Sequence, residues 1–212
     1  MKLLRLLFSL CIVRPLILVV LGMNVRHRER LPKQGPAIVV ANHNSHLDTL
    51  VLMTLFPLRL LHQLRPVAAA DYFLRNPFLS WFSLNIMNII PLNRKGVKRR
   101  ESLFTGIYEA LERKEIIILY PEGTRGEPER LDTFKSGIYH LLKECPEVPI
   151  YPVFMYGLGK ALPKGTFLLV PFFCDVFIGE AMYWQEDRHA FMKELNKRME
   201  KLAKEGNFKP WE

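Results

Sequence analysis

The sequence predicts an α/β layered domain, a largely parallel or mixed sheet flanked by helices, preceded by an N-terminal membrane-anchoring helical segment. Three observations predict it. From residue 37 onward, short runs of aliphatic residues alternate with longer stretches of helical spacing, the pattern of strands joined through helices. The first twenty or so residues are almost wholly apolar. The chain has 212 residues, 49% hydrophobic and 24% charged, which suits one well-buried core and is short for two independent domains.

Leu3 to Leu21 is broken only by Arg5, Ser9 and the Arg14-Pro15 pair. A straight spanning helix would place Arg14 inside hydrocarbon, at a cost of about 2.5–3.5 kcal/mol. At about 100° per residue, Arg5 and Arg14 fall on opposite faces, so a clean surface helix is not expected either. Pro15 adds a kink. No small-x-small cleavage site follows, which argues against a secretory signal. The segment is therefore read as a kinked or re-entrant membrane anchor, its arginines reaching toward headgroups. Lys2 and Arg5 precede the run, and the heavier basic cluster Arg26, Arg28, Arg30 and Lys33 follows it. By the positive-inside rule the main domain sits on the cytoplasmic face. Residues 1–30 are assigned to the anchor and 31–212 to the main domain.

Ala37–Ala41 reads as a buried strand and Thr49–Phe56 as an apolar helix stopping before Pro57. Val67–Ala70 and Ile89–Leu92 are short strand candidates. Val97–Arg113 has helical spacing through Leu103, Ile107 and Leu111. Ile116–Tyr120 is the clearest strand. A helix around Phe134–Lys143 follows, then strands near Ile150–Tyr156, Phe167–Val170 and Cys174–Ile178. The final helix carries Phe191, Leu195, Met199 and Leu202 on one stripe, expected to dock on the sheet. Phe73, Phe78, Trp81 and Phe82 form an aromatic cluster expected to pack in the core.

The net charge of +9 and the pI near 9.6 point to anionic partners. No nucleic-acid motif is present in the sequence, so nucleic acid is not an expected partner. An anionic membrane surface and phosphorylated molecules lead. Cys11, Cys145 and Cys174 are odd in number and widely spaced, which argues against a disulfide framework or a cysteine metal site and suits a reducing compartment.

Chemistry concentrates where strands end. Asn42-His43-Asn44-Ser45-His46-Leu47-Asp48 follows the first strand directly. Ser45 with Asp48 three residues on has capping-box spacing, so a helix is expected to start at Ser45. His43 would lie in the loop before it and Asp48 in its first turn, a geometry in which the two can meet. A carboxylate on one imidazole nitrogen fixes the tautomer and stabilises the imidazolium formed when the other takes a proton. Such a pair can deprotonate a substrate hydroxyl, so no enzyme nucleophile is needed.

Tyr120-Pro121-Glu122-Gly123-Thr124-Arg125-Gly126 closes the strongest strand. Gly123 admits close approach of a ligand, Thr124 offers a hydroxyl, and Arg125 can grip phosphate with two parallel bonds. Glu122 can hold Arg125 or accept from substrate hydroxyls. Pro91-Leu92-Asn93-Arg94-Lys95-Gly96 is another strand end carrying two cations.

These motifs together resemble the glycerolipid acyltransferase superfamily, the lysophosphatidate and glycerol-phosphate acyltransferases. Its first motif, Asn-His-x-Ser-x-x-Asp, is matched in full from Asn42 to Asp48. Its third, Phe-Pro-Glu-Gly-Thr-Arg-Ser, is matched from Pro121 to Arg125, with Tyr120 and Gly126 departing at the ends. Its fourth, Val-Pro-Ile-x-Pro-Val, runs from Val148 to Val153. The second is weaker: Arg94 fits its end, but Asn88 stands where glycine is usual and Pro91 interrupts the apolar run. The resemblance covers residues about 30 to 160 in the family's order.

It implies that residues 31–212 form an acyltransferase domain working in phospholipid synthesis. A fatty acyl group would pass from an acyl thioester, acyl-CoA or acyl carrier protein, to a lysophospholipid hydroxyl, with 1-acylglycerol-3-phosphate (lysophosphatidic acid) the first acceptor to expect. His43 would be the general base and Asp48 its orienting partner. Arg94, Glu122, Gly123, Thr124 and Arg125 would bind the acceptor's phosphate and polar head. No metal or other cofactor is implied. Phe134-Lys135-Ser136-Gly137 resembles the Phe-Lys-x-Gly that trails the third motif, although a solvated helix lysine is the plainer expectation for Lys135. Two rivals remain at this level: a metal-dependent hydrolase using His43, His46 and Asp48, and a non-catalytic membrane-surface module of the same fold.

Overall fold

Runs of consecutive aliphatic residues become the middle of one sheet, because a strand covered on both faces has no solvent side to make polar. In the computed structural model, which describes residues 1–93, 100–124, 126, 131–161 and 173–208, the strands are β1 (Met23–Arg26), β2 (Ala37–Ala41), β3 (Leu64–Ala69), β4 (Ile90–Leu92), β5 (Ile116–Leu119), β6 (Ile150–Tyr156) and β7 (Cys174–Ile178). They form a seven-stranded sheet in the order β1-β7-β6-β2-β5-β3-β4. Every neighbouring pair is parallel except β6 with β7, so the sheet is mixed and mostly parallel. All five residues of β2 and all four of β5 are buried, and Val39 lies between Ile118 and Tyr151.

The helices are α1 (Lys2–Leu21), α2 (Asp48–Leu55), α3 (Ala70–Phe73), α4 (Pro77–Asn85), α5 (Arg100–Glu112), α6 (Gly137–Lys143), α7 (Leu158–Ala161) and α8 (Arg188–Glu205). Alternate residues of each strand face opposite layers. Ala37, Val39 and Ala41 join Ile116 and Ile118 against α2 and the α1 residues Val13, Ile17 and Leu21. Ile38, Val40, Ile117 and Leu119 face α5, α6 and α8 on the other side. The expected stripe of α8 is there: Phe191, Leu195 and Met199 are fully buried and Leu202 nearly so.

Some boundaries differ from expectation for local reasons. β1 was not anticipated, and it puts residues 23–26 at the edge of the sheet beside β7, inside the stretch read as anchor. The first segment after β2 turns before it coils, so α2 opens at Asp48 and not at Ser45. The helix expected from Phe134 opens at Gly137. The expected strand Phe167–Val170 and the start of the helix expected from Val97 lie outside the described residues.

The aromatic cluster is a correction. In α4 only Ser83 is buried, while Phe78 is 77% and Trp81 43% exposed. The cluster is therefore a surface feature and not core. Phe82 instead meets Phe8 of α1 edge to face at 5.3 Å, joining α4 to the N-terminal helix.

Helix α1 also departs from the α-helical arithmetic. Ser9–Val13 and Leu16–Leu21, on either side of Arg14-Pro15, are π-helical. This i→i+5 bonding widens the turn, and a proline without an N–H sits where the regular ladder is broken. Residues that would oppose each other in an α-helix now both face the domain: Arg5 Nε donates to Asn85 O at 2.6 Å and Arg14 Nη2 to Phe56 O at 3.0 Å.

The two departures in the second motif have backbone explanations. Asn88 adopts φ +59°, a left-handed conformation that glycine enters freely and asparagine tolerates best among the others. Its side chain donates to Leu64 O at 3.0 Å. Pro91 lies in β4, the last strand in the sheet, where a missing donor is tolerated.

Candidate active site

The site lies where β2 and β5, side by side at the middle of the sheet, both end. Asn42 fixes the first exit. Its Nδ2 donates to Met155 O at 2.8 Å and its Oδ1 accepts from Met155 N at 2.8 Å, tying the end of β2 to β6. The same Nδ2 donates to Asn44 Oδ1 at 2.7 Å. The chain then turns, and Asp48, 1% exposed, reaches back from the start of α2. Its Oδ2 accepts from Asn44 N at 2.8 Å and Ser45 N at 2.9 Å, and lies 2.8 Å from His43 Nδ1. The bond to Ser45 N is the return half of a capping box, formed although the regular helix starts later. A carboxylate oxygen only accepts, so Nδ1 carries the proton and Nε2 is the basic nitrogen.

The second exit holds the first. His43 N donates to Glu122 Oε2 at 3.3 Å, and His43 O accepts from Gly126 N at 2.9 Å. Both backbone groups of the histidine are thus gripped by the loop after β5. The Tyr120 ring stacks on the His43 ring at 4.2 Å between centroids. Its hydroxyl pairs with Thr49 Oγ1 at 2.9 Å, which gives the phenol a partner where the resembled motif carries phenylalanine. Desolvation, with the nearby Asp48 charge adding, raises the Tyr120 hydroxyl well above its ordinary pKa.

Glu122 is 2% exposed, and its Oε1 has no hydrogen-bond partner among the described residues. Burial pushes its carboxyl up to about 8, with backbone bonds from His43 and Asp132 opposing and the charges of Asp132 and Asp48 adding. A raised carboxyl means the folded chain holds a proton that the unfolded chain has released. Stability from this group is therefore full below about 4.5 and lost as pH rises through about 8. Glu122→Gln should flatten that part of the curve. Melting temperatures of both proteins between pH 5 and 9 check this, and parallel curves would mean that Glu122 titrates as an ordinary carboxyl.

Gly123 has φ +78°, and a Cβ there would come within 2.9 Å of Lys135 Nζ. The glycine serves both the turn and the close approach of that ammonium group. Lys135 precedes α6 and its N–H donates to Pro121 O at 3.0 Å, so it belongs to this loop cluster and is not a helix lysine. Thr124, next to Gly123 in the chain, is exposed. Arg94 and Arg125 lie outside the described residues.

Sequence reasoning therefore missed three participants: Asn42 as the clamp to β6, Tyr120 as the platform under His43, and Gly126 as a donor to the histidine carbonyl. All three stood inside motifs already singled out, but the roles of Tyr120 and Gly126 depend on two loops meeting, which spacing along the chain does not report. His46, the third member of the imagined metal set, places its ring 6.2 Å from that of Tyr72. Among the described residues, no three His, Cys, Asp or Glu side chains converge as a ligand set.

A mixed α/β sheet presenting a carboxylate-held imidazole between two strand ends defines the class, and a family model described as Acyltransferase matches residues 22–156. The chain belongs to this acyltransferase family. It is 28% identical over 145 residues to a chloroplastic 1-acyl-sn-glycerol-3-phosphate acyltransferase of Arabidopsis thaliana, covering 68% of this chain and 38% of that one. To the 1-acyl-sn-glycerol-3-phosphate acyltransferase of Saccharomyces cerevisiae it is 34% identical over 140 residues, 63% of this chain and 43% of the other. The human beta form is 28% identical over 134 residues, 63% and 46% of the respective chains. This chain thus spans less than half the length of these relatives. The crystal structure of the 1-acyl-sn-glycerophosphate acyltransferase PlsC from Thermotoga maritima superposes with a TM-score of 0.75 at 21% identity, over 100% of this chain and 81% of the other. That likeness shows a shared fold.

Proposed function

We propose that this protein moves a fatty acyl group from an acyl thioester to the free hydroxyl of a lysophospholipid at a membrane surface, a step of phospholipid synthesis. The names of the relatives favour 1-acylglycerol-3-phosphate as acceptor. The donor is acyl-CoA or acyl carrier protein. The observation that carries the reading is the 2.8 Å pairing of His43 Nδ1 with buried Asp48, in a loop whose backbone is held from the neighbouring strand end.

In this mechanism Nε2 of His43 takes the proton from the acceptor hydroxyl as the oxygen attacks the thioester carbonyl. Asp48 holds the imidazolium that forms. The C–S bond breaks, the imidazolium returns its proton to the departing thiolate, and a new ester remains. Arg94, Gly123, Thr124 and Arg125 are assigned to the acceptor's phosphate and head, with the Lys135 ammonium group at Gly123 adding positive charge. Glu122 positions the histidine loop through the His43 N–H.

Helix α1 supports work at a membrane. It has 20 residues, and its most apolar 18 have a mean hydropathy of 2.3. Arg5 and Phe8 touch the domain near one end and Val13, Ile17 and Leu21 toward the other. Its outer side exposes Leu3, Leu7, Ile12, Leu18 and Val19. With the domain on one side and apolar side chains on the other, the helix is suited to lying in the interface. The exposed Phe78 and Trp81 of α4 extend that apolar face. The basic segment after α1 favours the cytoplasmic leaflet, whose surface is negative.

The test is the purified full chain in bilayer mimics, offered a panel of lysolipids with acyl-CoA and with acyl carrier protein, and read by mass spectrometry. Phosphatidic acid from lysophosphatidic acid is the expected product. No ester from any acceptor with either donor would sink the proposal.

A further inference from the structure

The basic cluster that follows α1 has no part in the catalytic arrangement, yet it borders a built feature. Residues 28–33 and the turn after α2 line an open cleft of about 170 Å³. Its floor is apolar, with Leu31, Pro32, Phe56 and Leu60, and Arg28, Lys33 and Arg59 stand at its rim. Glu29, its one acidic lining residue, has its carboxylate 3.9 Å from His27. Lys33 and Arg59 are exposed, and neither makes an ion pair among the described residues.

The C-terminal carbonyls of α2 would repel an anion there, but Leu55 O and the following Phe56 O are covered. Arg28 Nη2 donates to Leu55 O at 2.8 Å and Arg14 Nη2 to Phe56 O at 3.0 Å. Arg14 belongs to α1, so the cleft opens beside the helix that lies on the bilayer. Asp48 sits at the opposite end of α2, eight residues or about 12 Å of helix away. Cations gathered over an apolar floor at headgroup level match one chemistry, a phosphate with glycerol and acyl carbons behind it.

We propose that this cleft is a second lipid site, separate from the catalytic one, that takes the phosphate headgroup of an anionic phospholipid. It rests on the surface placement of α1 given above, and it does not depend on the reaction catalysed. The lipid phosphate lies between Arg59, Lys33 and the Arg28 guanidinium, and its glycerol region rests on Leu31 and Leu60. Such a contact holds the enzyme on anionic bilayers in one orientation.

The experiment is vesicle flotation of the full chain with phosphatidylcholine alone and with phosphatidylcholine mixed with phosphatidylglycerol, at low salt. Lys33→Gln with Arg59→Gln is compared with a control pair, Lys193→Gln with Lys197→Gln, on the exposed side of α8. Both pairs lower the net charge of +9 by two. The cleft pair should lose about thirtyfold in the preference for anionic vesicles, roughly fivefold per cation, and the control pair little. All three proteins should bind neutral vesicles alike. Equal losses for the two pairs, or none for the cleft pair, would overturn the site in favour of diffuse attraction or no attraction. Wild type that floats with neither vesicle would remove the surface placement of α1 and the cleft proposal together, whatever its transferase activity.

Discussion

His43→Ala is expected to lower acyl transfer about 10²–10⁴-fold, with a melting temperature close to that of the wild type. The effect on rate is large because the base that takes the acceptor's proton is lost and no other imidazole is placed to replace it: the His46 ring lies against Tyr72. The effect on stability is small for a structural reason. The His43 side chain is 21% exposed, and the groups that anchor this residue, its N–H and C=O, belong to the backbone and survive the substitution. What the fold loses is the stack on Tyr120, worth about 0.5–1.5 kcal/mol, and the ring's bond to Asp48, whose Oδ2 keeps its two backbone donors. Initial rates with saturating donor and acceptor, beside a thermal melt, make the comparison. A variant turning over at the wild-type rate would remove general-base catalysis by His43 and leave the non-catalytic module as the better account.

The parts of this site that the sequence made legible are those built by neighbours along the chain. His43 and Asp48 are five residues apart, and strand-end, loop and first helical turn bring them together by local geometry alone. The central strands were equally legible, because β2 and β5 are covered on both faces and write that as unbroken aliphatic runs. What stayed hidden depends on contacts between distant segments. Glu122 reads as a ligand for substrate or Arg125, yet it is buried against the His43 loop, 79 residues away in sequence. The aromatics of α4 read as core because aromatic residues usually are. Here one side of that helix meets α1 and the other faces outward, an arrangement set by where the N-terminal helix lies. Arg5 and Arg14 fell on opposite faces only under α-helical periodicity, which the π turns around Pro15 do not keep.

Asp48 should prove the most sensitive position in the molecule, and two substitutions there separate its two tasks. Its Oδ2 collects three donors: the His43 ring and the backbone N–H groups of Asn44 and Ser45. In Asp48→Ala the histidine can turn toward solvent, but Asn44 and Ser45 are 6% and 0% exposed and their N–H groups lose a partner. At about 1–3 kcal/mol for each buried donor left unpaired, the loss is about 2–6 kcal/mol, a large share of the roughly 5–15 kcal/mol that holds a domain together. Asp48→Asn can keep an amide oxygen where Oδ2 was, so the two backbone bonds persist and the melting temperature should fall much less. It removes the negative charge that steadies the imidazolium, and acyl transfer should still drop about 10²–10⁴-fold. The expected pattern is therefore inactivity in both variants and marked instability in the alanine variant alone. If Asp48→Asn keeps its rate within about tenfold of wild type, the carboxylate is a loop clamp and not a partner in proton transfer, and the catalytic pair dissolves into a structural one.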